Sequence, residues 1–298
     1  MITYQKKKFL QRQLNHIRKY YRNRLNNTPF LFNIAYFRNK IRHLARKDWN
    51  GGYVLENDLL FYIPKSPLDL MASNKLFRPY HAPWLIKKFL PKDGVAVDVG
   101  ANIGDWTLSM SKCLENSGKV VSFEPIPYMN EALKKSIRAN GFKNVILSKN
   151  ACSNFIGDSQ FSIELGNSGG SRIGENPLKS DSTHVKVTTL DEFLKAKEVK
   201  RLDLLKIDVE GEEVNVLEGS IISINNFRPA CVIEIRKNCK GGTDKVVKLF
   251  SSINYTLIGI PTAYGIEECT TDNIIKWDGI LSTVDIVDFL FLPNVHNL

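Results

Sequence analysis

Two carboxylates and two glycines stand at a spacing that could hold a cationic nucleoside. Residues 95–104 read Val-Ala-Val-Asp-Val-Gly-Ala-Asn-Ile-Gly: an apolar strand ending at Asp98, a turn on Gly100 and a helix entered near Gly104. Twenty residues past Gly104, a second apolar run ends in Glu124, followed by Pro125. A glycine turn followed by an acidic strand end is how doubly wound sheets bind a nucleoside. The glycines let the backbone approach the ligand, and a carboxylate accepts hydrogen bonds from both ribose hydroxyls. A pyrophosphate site prefers G-x-G-x-x-G at a helix N-terminus. Here the pattern is Asp98-x-Gly100-x-x-x-Gly104 with Asp105 behind it, and those acids disfavour a phosphate. They suit a phosphate-free cation such as S-adenosylmethionine, which carries a sulfonium and an ammonium. The same residues would also serve a plain βα turn capped by Asn102 and Asp105.

A second motif runs from Leu204 to Glu213, Leu-Leu-Lys-Ile-Asp-Val-Glu-Gly-Glu-Glu. Lys206 lies inside an apolar strand, a costly place for a charge unless it is paired. Asp208 and Glu210 end the strand, beside the ammonium of a methionine moiety or an acceptor hydroxyl. They would equally suit the positive end of a helix dipole. A hydroxyl is a poor nucleophile at neutral pH and needs a base within hydrogen-bond reach. The candidates are Asp208, Glu234, Glu210 and Lys206, with His184 a further option and Asp208 or Glu234 preferred. A weaker reading has Asp208, Glu234 and Asn238 hold Mg²⁺, since oxygen ligands suit a hard cation.

These residues need a sheet to bring them together. Strands are expected at 95–99, 119–124, 145–151, 203–209, 229–235, 255–260 and 287–292, alternating with helices such as 104–115, 127–140 and 211–224. That is an α/β pattern, and in such sheets ligands bind beyond the carboxyl ends of the strands. Residues 155–189 break the alternation and read as two added strands around a Gly/Ser-rich loop. Residues 48–90 read as a β-hairpin with a polar tip at Asn57-Asp58 and a lead-in helix at 79–90. His81 and Trp84 either face the pocket or pack. The expected domains are therefore a basic arm at 1–47, the hairpin region at 48–90 and a catalytic domain at 91–298.

The charge is lopsided. The arm holds thirteen of the 41 basic residues and no acid, while the other 28 face 31 acids, a net of −3. Leu10, Leu14, Ile17 and Tyr21 recur at helical spacing among them, a basic amphipathic helix. Such a helix suits an anionic membrane surface, a nucleic acid or a partner, or it packs on the body. The expected location is cytoplasmic, with the arm at the inner membrane surface. No apolar stretch is long enough to span a bilayer. The five cysteines are scattered, with no C-x-x-C pair, and read as free thiols in a reducing compartment.

Residues 98–105 (Asp-Val-Gly-Ala-Asn-Ile-Gly-Asp), 123–127 (Phe-Glu-Pro-Ile-Pro), 150–153 (Asn-Ala-Cys-Ser), 188–191 (Thr-Thr-Leu-Asp), 206–213 and 228–234 (Arg-Pro-Ala-Cys-Val-Ile-Glu) occur in that order. The set resembles the FkbM family of S-adenosylmethionine-dependent methyltransferases over residues 95–260. The resemblance implies a seven-stranded class I methyltransferase (Rossmann-like) sheet with helices on both faces. It also implies O-methylation of a hydroxyl on a natural product or on a sugar of a surface glycan or glycolipid. By the same resemblance, Asp98, Gly100, Asn102 and Gly104 contact the methionine end, and Glu124, with Pro125 behind it, the ribose. Asn150, Ala151 and Ser153 flank the adenine. The alternatives are a nucleic-acid methyltransferase using the arm, which Asp208-Val-Glu-Gly disfavours because base N-methylation commonly uses a proline-aromatic motif there, and a binding protein without catalysis. The acceptor is expected to meet 155–189, 261–285 and the N-terminal region, with Tyr264, Trp277 and Asp278 able to contact a sugar.

Overall fold

Apolar runs bounded by glycine, asparagine and aspartate become strands buried on both sides. The computed structural model describes residues 51–64, 83–164, 171–174, 180–237, 243–262, 265–277, 281 and 286–294. The chain divides into two units, Met1–Trp49 and Asn50–Leu298. The first, with the expected basic arm, lies outside the described residues, as do His81, Asn238, Cys239, Tyr264, Asp278 and most of the Gly/Ser-rich loop.

β1 (Gly52–Glu56) and β2 (Leu59–Ile63) form an antiparallel hairpin. Asn57 and Asp58 take φ of 49° and 61°, the left-handed pair whose twist suits a two-residue turn. α1 (Pro83–Phe89), β3 (Val95–Val99), α2 (Asp105–Leu114), β4 (Lys119–Phe123), α3 (Pro127–Ala139) and β5 (Val145–Ser148) then alternate. Next come β6 (Ala151–Cys152), β7 (Gly157–Glu164), β8 (Arg172–Ile173) and β9 (Ser180–Thr188). After α4 (Leu190–Ala196) follow β10 (Leu204–Ile207), α5 (Glu213–Glu218), α6 (Ile221–Phe227), β11 (Ala230–Arg236), α7 (Thr243–Ser252), β12 (Tyr255–Thr262), β13 (Gly265–Glu267), α8 (Thr271–Lys276) and β14 (Ile286–Pro293).

The main sheet has the order β13-β12-β14-β11-β10-β3-β4-β5. β5, β4, β3, β10 and β11 are mutually parallel, and β14 runs antiparallel between β11 and β12. The expected count of seven strands becomes eight among the described residues. The extra strand, β13, is a three-residue return of β12 at the sheet edge, too short to show a period. One face packs Val97, Val99, Val121, Phe123, Leu205 and Ile207 against apolar residues of α4 to α8. The other packs Ala96, Val120, Leu204 and Val232 against Leu85 and Ile86 of α1 and Trp106, Met110 and Leu114 of α2. Helices therefore cover both faces, as a parallel sheet requires.

Three local expectations are corrected. The expected strand 145–151 splits, because Ser148 Oγ accepts the Asn150 N–H at 3.1 Å and turns the chain. Its second part, β6, leaves the main sheet and pairs with β9. The 155–189 insertion supplies three strands and not two, β7, β8 and β9, which with β6 make a four-stranded sheet of order β6-β9-β7-β8. The expected helix 211–224 is two helices. Gly219 lies between them against Ser153, where any Cβ would overlap the Ser153 carbonyl oxygen. The second helix has its own start, with the Asp191 carboxylate accepting the N–H of Ile222 at 3.1 Å and of Ser223 at 2.7 Å.

Candidate functional site

Side chains alternate across a strand, so residues two apart share a face. On the α1/α2 face the strands change character toward their carboxyl ends. Ala96 is followed by Asp98, Val120 by Ser122, Leu204 by Lys206 and then Asp208, and Val232 by Glu234. β14 runs the other way and places Asp288 opposite Glu234. The register sets Asp98 beside both Ser122 and Lys206. A polar floor thus lies at the carboxyl edge of an otherwise apolar face.

Asp98 is 2% exposed. The Thr107 hydroxyl donates to its Oδ2 at 2.5 Å and also shares a hydrogen bond with Ser122 Oγ at 2.8 Å. Burial pushes the Asp98 carboxyl up to about 6, further raised by the Asp208 charge; the Thr107 hydrogen bond and the Lys206 ammonium hold it back. Gly100 turns the chain above it at φ 86°, and a Cβ there would overlap the Asp208 carbonyl oxygen. Only glycine allows these two strand ends to approach so closely.

Glu124 is 3% exposed and braces the same turn. Its Oε2 accepts the Asn102 N–H at 2.7 Å and its Oε1 accepts the Ile126 N–H at 2.8 Å. Asn102 itself sits in the left-handed region at φ 48°, and its Oδ1 accepts the Ile103 N–H at 2.9 Å. Gly104 immediately precedes α2, and its carbonyl accepts the Leu108 N–H at 2.9 Å. Pro125 follows Glu124. Asn130 of α3 donates to the carbonyls of Glu124 at 2.9 Å and Ser148 at 3.0 Å, tying the ends of β4 and β5 together. Asn150, Ala151 and Ser153 follow that end of β5. Ser153 is 1% exposed, and its N–H donates to the Thr188 carbonyl at 3.0 Å.

The third group surrounds Lys206, whose side chain is wholly buried. Its Nζ lies 2.6 Å from Asp288 Oδ1 and 3.6 Å from Asp208 Oδ2, and 5.7 Å from the centroid of the Trp106 ring. Burial alone would lower its pKa, but the charges of Asp288 first and then Asp208 outweigh that and raise it. Lys206 is therefore an ammonium at neutral pH. Burial first, then the Asp208 and Asp288 charges, push the Glu234 carboxyl well above the usual range despite Lys206. Glu210, at φ 58°, is ion-paired with Arg236. Glu213 is 1% exposed and accepts the Gly211 N–H at 2.9 Å. Burial pushes its carboxyl up to about 7, against that backbone hydrogen bond.

One oxygen each of Asp208, Glu210 and Glu234 lies within 4.8 Å of the others. The donor set does not recommend a metal, because Glu210 is ion-paired with Arg236 and Asp208 lies against the Lys206 ammonium. Asn238, the remaining member of the expected magnesium set, lies outside the described residues. His184 is exposed on β9, in the smaller sheet. Trp84 is a packing residue whose Nε1 donates to the Thr262 carbonyl at 2.8 Å. Trp277, which could either contact a sugar or pack, is 6% exposed and packs edge-on to Phe289 at 6.1 Å, so it belongs to the core. Cys113, Cys152 and Cys231 are free thiols.

Asp288, Trp106, Thr107 and Glu213 were not singled out in the sequence. A signal did exist for Asp288: it is the acid within the apolar run 286–293, at the right depth to answer Lys206.

The family description "Methyltransferase FkbM domain" matches residues 98–257, more than half of the chain. "Methyltransferase 1" of Beauveria bassiana is 31% identical over 154 residues, covering 43% of this chain and 59% of its own. "Hexuronic acid methyltransferase AglP" of Haloferax volcanii is 30% identical over 138 residues, covering 43% of this chain and 50% of its own. The chain thus spans between half and about three fifths of the length of these curated relatives. Among solved structures, methyltransferase FkbM from Methylobacillus flagellatus superposes with a TM-score of 0.42 at 14% identity, covering 70% of this chain and 50% of that one.

Proposed function

Because the chain belongs to the FkbM methyltransferase family, we propose that it transfers a methyl group from S-adenosylmethionine to a hydroxyl oxygen of a sugar, glycan or natural product. The observation that carries this reading is the pair of buried carboxylates, Asp98 and Glu124, on either side of the Gly100 turn. The name of the Haloferax relative, a hexuronic acid methyltransferase, supports a sugar acceptor.

The residues fit the donor. A carboxylate offers about four lone-pair sites, so Glu124 can brace the turn and also accept the ribose hydroxyls. Asp98, with Gly100, Asn102 and Gly104 above it, gives the methionine end a site of negative potential. Pro125 supports the ribose side, and Asn150, Ala151 and Ser153 flank the adenine. When bound, S-adenosylmethionine supplies the methyl carbon, which bonds to the acceptor oxygen as its bond to sulfur breaks and that electron pair stays on sulfur. The chain's own part is to position the hydroxyl and take its proton. Asp208 and Glu234 stand at the strand ends for that work, one as base and the other as orienter. Lys206, charged and ion-paired, shapes their field and is not the base. Glu210, held by Arg236, shapes the turn beside them. The arm at 1–47 rests on anionic membrane from the cytoplasmic side, a reading supported by its basic amphipathic spacing. Among the described residues no helix is long and apolar enough to cross a membrane.

Calorimetry with S-adenosylhomocysteine tests the reading. Binding by the wild type should be lost in Asp98→Ala and in Glu124→Ala, and unchanged affinity in both would remove it. Transfer of labelled methyl to glycans bearing hexuronic acid tests the acceptor class. Flotation of full-length and arm-deleted protein with anionic liposomes tests the arm.

A further inference from the structure

Four carboxyl groups converge on one ammonium. Lys206 on β10 faces Asp98 on β3, Asp208 at its own strand end, Glu234 on β11 and Asp288 on β14, and the Trp106 ring of α2 lies beside it. With every acid ionised, the cluster would hold a large excess of negative charge in a mostly buried place, and carboxyls so close retain protons instead. The ammonium is not shared equally. It ion-pairs with Asp288 at 2.6 Å and with Asp208 at 3.6 Å, while a Glu234 oxygen lies within 4.8 Å of an Asp208 oxygen. The nearby acids are otherwise engaged, Glu210 by Arg236 and Glu213 by the Gly211 N–H.

The geometry points to a fixed division of labour between Asp208 and Glu234: Lys206, anchored by Asp288, keeps Asp208 as the carboxylate that takes the acceptor's hydroxyl proton, and Glu234 stays protonated and donates to Asp208. Asp288 is then a positioning residue that touches no reactant and acts by fixing the ammonium. In the reaction the O–H bond breaks as the new O–C bond forms. The proton passes to Asp208 and from there to solvent. Burial and the neighbouring charges that raise the Glu234 carboxyl act in the same direction. This division of labour rests on the proposed methyl transfer for its purpose but not for its test.

The test is a carbon-13 NMR titration of the side-chain carboxyls in full-length protein without donor or acceptor. Signals are assigned by their loss in Asp208→Asn and Glu234→Gln. In the wild type the Glu234 midpoint should lie clearly above the ordinary glutamate range. Asp288→Asn removes one adjacent negative charge and should lower the Glu234 midpoint by about half a unit or more. A Glu234 midpoint within the ordinary glutamate range would overturn the assignment. So would a folded Asp288→Asn protein with an unchanged Glu234 midpoint, and if that variant does not fold the wild-type titration decides alone. Failure here leaves donor binding intact, whereas failure of S-adenosylhomocysteine to bind would remove the methyltransferase reading and leave the proton's position standing.

Discussion

Lys206 and Asp288 meet at 2.6 Å although β11 lies between their own strands. The lysine pairs in register with Val232, two residues before Glu234, which itself stands opposite Asp288. A long side chain therefore reaches diagonally across a strand to its counter-ion. Removing one partner of a buried pair typically costs about 3–5 kcal/mol, whereas an apolar replacement of both is often neutral. Asp288→Ala should lose stability on that scale in urea unfolding. Lys206→Met combined with Asp288→Leu should lose less than the two single changes together. Strict additivity would show that the pair is not coupled.

Asp98 sets a pH dependence of defined sign. Its carboxyl is raised from 3.8 to about 6, so between those values the native state binds more protons than the unfolded one. Stability contributed by this group falls as pH rises through that window and is level above it. At about 1.36 kcal/mol per unit the loss is about 3 kcal/mol. Asp98→Asn should therefore be more stable than the wild type at pH 7, by up to that amount, and equal to it near pH 4. Glu213, raised from 4.5 to about 7, adds a slope of the same sign over its own window. Denaturation midpoints measured across pH check both. A cationic donor is attracted by the ionised form alone, so its affinity should rise with pH through about 6 and then level.

Glu124 serves its own loop as well as a ligand. Glu124→Ala leaves the N–H groups of Asn102 and Ile126 without their acceptor. A buried unsatisfied donor costs about 1–3 kcal/mol, so this variant should be destabilised as well as deficient in S-adenosylhomocysteine binding. Glu124→Gln keeps one carbonyl oxygen and should recover part of the stability with little of the affinity. Calorimetry and thermal unfolding on the same samples separate the two effects.

Asp191 caps a helix that it does not belong to. Its carboxylate accepts from Ile222 and Ser223 at the start of α6. Loss of an N-cap costs about 1 kcal/mol. Asp191→Ala should lower stability by that order and leave S-adenosylhomocysteine affinity unchanged, while Asp191→Asn should lose less.

The chain alone determined the alternation of strands and helices, the glycine turn at Gly100 and the acids at the strand ends, because these are local properties. A buried parallel strand must be apolar, a left-handed turn selects glycine, and a charge at a strand's carboxyl end is visible as soon as the strand is. The tertiary structure decided what those charges do to one another. Val232 and Glu234 look alike in spacing to any other strand pair, and only the strand order brings β14 beside β11 and Asp288 to Lys206. The short β13, the departure of β6 into a second sheet and the break at Gly219 were equally hidden, since each depends on a distant backbone and none on a local period. Register between strands far apart in sequence sets the distances between charges. Those distances decide which carboxyl in the cluster keeps its proton.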